Sequence, residues 1–187
     1  YQDFWLAGEL EGGQRRVVER AQALGFCPRP GESVLDIGCQ SGGFLQWGHR
    51  CGADLLVGVD VDPGYVDCAR ALARSCRQNI SIRQMDVVAE RDAFLGWVRA
   101  AFPAGVDHVL CLSLEKHLGE RFLFDLVDEI GARHTYVETN AVAKDDGAGP
   151  TPAGSMKLWP EVAARGGRHV GDSRDRNIRR LYRIDRP

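Results

Sequence analysis

Two kinds of hydrophobic spacing alternate along this chain. Short apolar, β-branched runs at 33–37, 55–60, 80–85, 107–112 and 134–138 read as strands. Between them, 43–51, 63–76, 92–101 and 120–130 read as helices, and in the second of these Tyr65, Cys68, Ala69, Leu72 and Cys76 fall on one face. Each crossover is long enough for a βαβ unit, so the expected fold is α/β, a doubly wound, mostly parallel sheet with helices on both faces. Ahead of it, 3–26 reads as a helical lead-in, with Val17, Val18, Ala21 and Leu24 at helical spacing after a break at Gly12-Gly13; Pro28 and Pro30 end it. Behind it come a Gly/Pro/Asp-rich loop at 144–154, a helix at 158–165, and two β-like runs at 168–171 and 178–184 joined by a polar turn. With no internal repeat, the expectation is a single domain over 1–187: lead-in 1–30, core 31–140, closing segment 141–187.

Composition narrows the function classes. A chain of 187 residues with 44% hydrophobic and 27% charged residues is an ordinary globular sequence. A net charge of −2 gives the molecule as a whole no pull toward nucleic acid or an anionic membrane. The longest apolar stretches, such as 106–114, are short and broken by Asp107 and His108, so no membrane span is expected. The six cysteines (Cys27, Cys39, Cys51, Cys68, Cys76 and Cys111) lie in predicted core elements without a CxxC pair, which reads as reduced, buried thiols and not as a zinc or disulfide framework. The chain starts at Tyr1, and nothing in it looks like a leader, so the expected location is cytoplasmic.

The chemistry concentrates in Val34-Leu-Asp-Ile-Gly-Cys-Gln-Ser-Gly-Gly43, a buried strand running into a turn whose glycines let backbone approach a ligand before a helix begins. Tight strand-to-helix packing alone is the alternative for such a turn in isolation. About 20 residues on, the next strand ends in Asp60, where a carboxylate can accept both hydroxyls of a ribose. Asp62, just before Pro63, reads as solvated or as a helix cap. A dinucleotide site would need a glycine two positions after Gly38 to admit the pyrophosphate, and Gln40 stands there.

At this point the sequence resembles the class I S-adenosylmethionine-dependent methyltransferases. Asp36, Gly38 and Gly42 are similar to the family's first motif, Gly58-Val-Asp60 to its ribose motif, Gln84-Met-Asp86 to its third-strand motif, and Asp107-His-Val-Leu-Cys-Leu-Ser113 to its fourth. The resemblance implies a Rossmann-like sheet of seven strands whose final hairpin inserts an antiparallel strand. It also implies S-adenosyl-L-methionine as cofactor. Gly38 and the Gln40, Ser41 and Gly42 backbone would lie against the cofactor's methionine and ribose, while Asp36 orients the turn and the amino group. Asp60 would bind the ribose, and Asp86 the adenine amino group beside the Val87 backbone, with Val61 on the adenine face. Ser113 closes the set. A looser likeness in the lead-in brings Gln14 and Arg15 toward the cofactor carboxylate, with a solvated helix start as the other reading.

Methyl transfer is an in-line displacement that needs alignment and, for a protonated acceptor, a base. Candidates should lie at the carboxyl ends of the strands, which points to Glu115, His117 and Glu138. The Asn/Asp-Pro-Pro-Tyr element of nucleobase and amide methyltransferases is replaced by Ser113-Leu-Glu-Lys. Leu112 holds the first acid position of the E-x-x-E-H metal motif of small-RNA methyltransferases, so no metal is expected. From residue 168 onward seven arginines face three aspartates, a surplus that could hold an anionic metabolite or RNA, or could snorkel over a packed strand. The leading expectation is O- or N-methylation of a small-molecule acceptor, an anionic one included. RNA as substrate and a non-catalytic S-adenosylmethionine-binding module are the alternatives.

Overall fold

The fold was taken from a computed structural model, which describes residues 2–13, 15–139, 143–144, 158–174 and 177–187. In chain order the elements are β1 (Phe4–Leu6), β2 (Glu9–Glu11), α1 (Val17–Leu24), β3 (Ser33–Ile37), α2 (Gly43–Cys51), β4 (Leu55–Asp60), α3 (Pro63–Ser75) and β5 (Ile80–Gln84). They continue as α4 (Arg91–Ala101), β6 (His108–Leu112), α5 (Glu115–Leu118), α6 (Glu120–Ile130), β7 (His134–Glu138), β8 (Ala143–Lys144), α7 (Trp159–Ala164), β9 (Arg168–Arg174) and β10 (Asn177–Asp185).

Each apolar run predicted as a strand is one, and they assemble in the order β5-β4-β3-β6-β7-β10, with β9 on the far edge of β10. The pairs from β5 to β7 are parallel, and β10 enters antiparallel to β7, Leu181 opposite Glu138 and Asp185 opposite His134. The two-residue β8 also pairs with β10, so eight strands fill the seven ranks expected. β3 and β6 are buried at every position because helices cover both faces, whereas β5 at the edge buries one residue in five. Alternation divides the core. Leu35, Ile37, Val57, Val59 and Val109 pack against α4 and α6, while Val34, Leu56, Leu110 and Tyr136 pack against α1, α2 and α3. The chain leaves β3 in one direction through β4 and β5, then returns beside β3 to build β6 and β7. That reversal opens a crevice at the carboxyl ends of β3 and β6.

Three expectations change. The lead-in is helical only over Val17–Leu24; before it lies a hairpin whose two turn residues, Ala7 (φ 50°) and Gly8 (φ 92°), both take the left-handed conformation of a type I′ turn. Gln46 of α2 holds this hairpin, accepting the Trp5 N–H and donating to the Trp5 carbonyl, both at 2.9 Å. Residues 115–118, read as loop, form the short α5. The cysteines are not uniformly buried: Cys39 and Cys111 are, Cys51 and Cys76 are half-buried, and Cys27 and Cys68 are exposed. The loop at 144–154 lies outside the described residues apart from Lys144 in β8.

Candidate functional site

The glycine-rich turn is laced to the neighbouring strand. The N–H groups of Gly38 and Cys39 both donate to the Val59 carbonyl, at 2.8 and 3.0 Å, and the Gln40 N–H donates to Asp60 Oδ2 at 2.9 Å. Gly38 (φ 72°), Gln40 (φ 48°) and Gly42 (φ 79°) take left-handed backbone; for Gln40 this costs roughly 1–2 kcal/mol, offset by its bond to Asp60. Gly58 in β4 has to be glycine, since a Cβ there would stand 2.6 Å from Leu45 Cδ1 and 2.8 Å from Cys39 Sγ. So β4, the turn and α2 form one tight unit, and beside it opens a cleft of about 570 Å³, within the range of small-molecule sites.

Of the residues expected to hold a cofactor, Gly38, Gln40, Asp60, Val61, Asp86, Val87 and Ser113 line this cleft. Each Asp60 oxygen accepts one backbone N–H, from Gln40 on Oδ2 and from Asp62 on Oδ1 (3.0 Å), which leaves a lone pair on each. Asp86 Oδ1 accepts the Val88 and Ala89 N–H groups at 2.9 and 3.1 Å. Asp86 Oδ2 and the Val87 N–H have no partner among the described residues. Val61 and Val88 are 59% and 47% exposed, a pair of apolar side chains left uncovered beside those polar groups.

Asp36, Ser41 and Gly42 are not on the cleft wall. A Cβ on Gly42 would face Ala69 of α3, at 3.5 Å, and Asp36 is buried beneath the turn with Oδ2 lacking a hydrogen-bond partner among the described residues. Burial, then the charge of Asp60, push the Asp36 carboxyl up to about 8, against the opposing pull of Arg20.

The three candidate proton acceptors separate. His117, on α5, lines the cleft. Glu115 does not; it stands near enough to Tyr182 of β10 for its charge to act on that phenol. Glu138 is buried under the rim and fully engaged. Arg20 holds it bidentately, Nε to Oε1 at 3.0 Å and Nη2 to Oε2 at 2.5 Å, Ser113 Oγ donates to Oε2 at 2.6 Å, and Ser173 Oγ donates to Oε1 at 3.0 Å. Burial alone would raise its pKa, but the Arg20 charge and these hydrogen bonds outweigh it and hold the carboxyl below its usual range. Glu138 therefore accepts no proton near neutrality. It pins Ser113, whose φ of 60° places a non-glycine residue in left-handed backbone at the cleft wall.

Residues that sequence reasoning left out complete the wall: Tyr65, Met85, Leu114 and Leu118, with Leu114 Cδ2 lying 2.7 Å from where a Gly38 Cβ would be. Strand-end and loop apolar positions carry no motif, so only the approach of separate segments reveals them. Asp62 caps α3 as read, accepting the Gly64 and Tyr65 N–H groups, and also lines the cleft. Arg15 reaches the wall from the lead-in. Of the closing arginines, Arg168 and Arg183 pair with Asp185, Arg186 pairs with Asp128, Arg179 is buried, and none of these four lines the cleft. Among the described residues the wall carries three carboxylates, Asp60, Asp62 and Asp86, and one arginine, Arg15. Its character is acidic, not basic.

No family model matches the chain. A segment of 42 residues is 50% identical to the ribosomal protein L11 methyltransferase of Burkholderia vietnamiensis (strain G4 / LMG 22486), covering 22% of this chain and 14% of that protein. The chain thus spans about a seventh of that relative's length. Among solved structures, the bifunctional kinase-methyltransferase WbdD superposes with a TM-score of 0.59 at 20% identity over 92% of this chain and 37% of the other. Magnesium protoporphyrin IX methyltransferase (ChlM) from Synechocystis PCC 6803, solved with bound SAM, gives 0.58 at 17% identity over 91% and 77%. The fold is that of the class I S-adenosylmethionine-dependent methyltransferases.

Proposed function

We infer that this chain binds S-adenosylmethionine in the cleft and methylates a small-molecule acceptor on oxygen or nitrogen. The observation that carries the reading is the set of unfilled valences around one apolar slot. Asp60 keeps a lone pair on each oxygen for two ribose hydroxyls, and Asp86 Oδ2 and the Val87 N–H offer an acceptor and a donor to the edge of an adenine. Val61 and Val88 supply the flat apolar contact between them. Bound there, S-adenosylmethionine supplies a methyl group on a positively charged sulfur, and the acidic wall suits that charge.

The remaining work is done by the protein's own groups. Glu138 and Arg20 fix Ser113, and through it the tail of β6 that forms one side of the cleft. His117, on the cleft wall, is placed to take a proton from a hydroxyl or amine acceptor. Three wall carboxylates against Arg15 disfavour an RNA backbone, which gains affinity from lysine and arginine at its phosphates. The same acidity, and the pairing of Arg168, Arg183 and Arg186 with Asp185 and Asp128, favour a neutral or cationic acceptor over an anionic one. The identity with L11 methyltransferases covers 22% of the chain and does not transfer their acceptor to it.

Calorimetry tests the cofactor assignment. S-adenosylmethionine should bind in the micromolar range or tighter, and Asp60→Ala should weaken it at least tenfold, about 1.4 kcal/mol. Unchanged affinity in the variant, or equal binding of NAD by the unaltered protein, would count against the site. Release of S-adenosylhomocysteine with a panel of hydroxyl and amine acceptors separates an enzyme from a module that only binds the cofactor.

A further inference from the structure

We propose that Cys27 and Cys51 are a modification site: a hydroperoxide converts them to a reversible disulfide that closes a ring around the glycine-rich turn. Their sulfurs stand 2.8 Å apart, although the residues are separated by 24 positions and belong to different segments, the loop after α1 and the last turn of α2. Bringing them to covalent distance, ~2.05 Å, takes a movement under about 1 Å.

The juxtaposition is held by a rigid frame. Trp47 of α2 donates its indole N–H to the Phe26 carbonyl at 2.9 Å, one residue before Cys27. A Cβ on Gly48 would lie 3.7 Å from both Phe26 and Pro28, and a Cβ on Gly52 would lie 3.3 Å from Pro30, so the loop runs flush along the end of α2. Phe26 itself is anchored in the core against Phe44 and Tyr136. The loop and the helix end can approach each other without unfolding either.

The other thiols lack this arrangement. Cys39 and Cys111 are buried, Cys76 donates to the Trp5 carbonyl at 3.2 Å, and Cys68 is exposed with no cysteine beside it among the described residues. Cys27 is exposed and is the sulfur an oxidant meets first; Cys51 is half-buried, its thiol pushed up to about 12 by burial and by the contact with Cys27. The electrons balance as follows. The Cys27 thiolate attacks the peroxide, the O–O bond breaks, and a sulfenic acid and one water (or alcohol) form. The Cys51 sulfur then displaces the sulfenic hydroxyl, which leaves as a second water with the Cys51 proton, and the S–S bond forms. Two electrons pass from the two sulfurs to the peroxide. The closed ring contains all of β3, the turn and α2, so the bond restrains the unit on which the cleft is built.

The test is independent of the methyl-transfer reading. The full chain is treated with a small excess of hydrogen peroxide, quenched with a maleimide, and digested with trypsin plus an Asp-specific protease, which isolates Cys51 from Cys39 and Cys68. The expected result is the loss of two alkylatable thiols and 2 Da, a linked Cys27–Cys51 peptide that dithiothreitol releases, and a thermal midpoint raised by at least about 5 °C. Cys27→Ser and Cys51→Ser, both accessible positions, should each abolish the linked peptide and the thermal shift. Accumulation of sulfinic acid at Cys27 without the linked peptide, or linkage chiefly to Cys68 or between molecules, would overturn the proposal.

Discussion

The parallel strands of the sheet carry polar groups at both ends, and the two ends are built on opposite principles. At their amino ends the side chains satisfy one another. Asp107 accepts the Ser33 N–H and hydroxyl at 2.9 and 3.0 Å and pairs with Arg133, Glu32 meets His108 at 2.9 Å, Tyr136 OH meets the other His108 nitrogen at 3.1 Å, and His134 meets Asp185 at 2.6 Å. At the carboxyl ends Asp60 and Asp86 take backbone N–H groups and stop short of saturation, leaving Asp86 Oδ2 and the Val87 N–H without partners among the described residues, while Asp36 lies buried beneath the turn with Oδ2 unpartnered among them. A closed network stabilises the sheet, whereas an open one holds valences for a ligand. Glu138 is the exception at the carboxyl end: it is saturated, and it belongs to the frame of the cleft and not to its contents.

The largest test breaks that exception. Arg20→Met leaves a buried carboxylate without its cation and should lower stability by about 3–5 kcal/mol in urea unfolding. A loss below about 1 kcal/mol would mean that Glu138 is not the charged, buried anchor described.

The next test uses pH at the open end. Asp36 has a folded pKa of about 8, above its ordinary value, so the folded state holds the proton more tightly than the unfolded chain between those values. Stability from this group therefore rises as pH falls. Relative to Asp36→Asn, the unaltered protein should gain roughly 2 kcal/mol between pH 7.5 and 5.5. Parallel curves for the two proteins would remove the buried, protonated carboxyl.

The closed end should show a smaller slope of the opposite sign. Burial holds His108 below its ordinary pKa despite the Glu32 carboxylate, so a neutral ring donates to Glu32 and accepts from Tyr136 OH. The stabilisation is present above about pH 6.5 and is lost as pH falls toward the lowered folded value, because the unfolded chain gains the proton first. His108→Gln keeps a donor for Glu32 but does not titrate. Relative to that variant, the unaltered protein should lose stability between pH 7.5 and 5.5. A gain in that window would mean the imidazole is charged in the fold.

Local pattern accounts for much of what could be read in advance. An uninterrupted apolar run such as Val109 to Leu112 can be a strand only if both faces are covered, and helices of matching period lie between such runs. That Asp60 and Asp86 lie on the cleft wall was legible in advance, Asp60 from an acid ending the strand about 20 residues past the turn and Asp86 from the family resemblance, neither of which needs knowledge of distant contacts. The β1–β2 hairpin was not: its Ala7-Gly8 turn lacks the Asn-Gly or Asp-Gly marker, and Phe4, Trp5, Leu6 and Leu10 fit an amphipathic helix as readily.

The sequence by itself determined the alternation of elements, the turn and the acid Asp60 that follows it, since each rests on spacing within some twenty residues. Only the tertiary structure decided that Glu138 is clamped by Arg20, 118 positions earlier, that Arg168 and Arg183 are spent on Asp185 and Arg186 on Asp128, and that Cys27 meets Cys51. A side chain's ionisation, and whether it is free for a ligand, depend on the groups within a few ångströms. For these residues those neighbours arrive from segments far away in the chain.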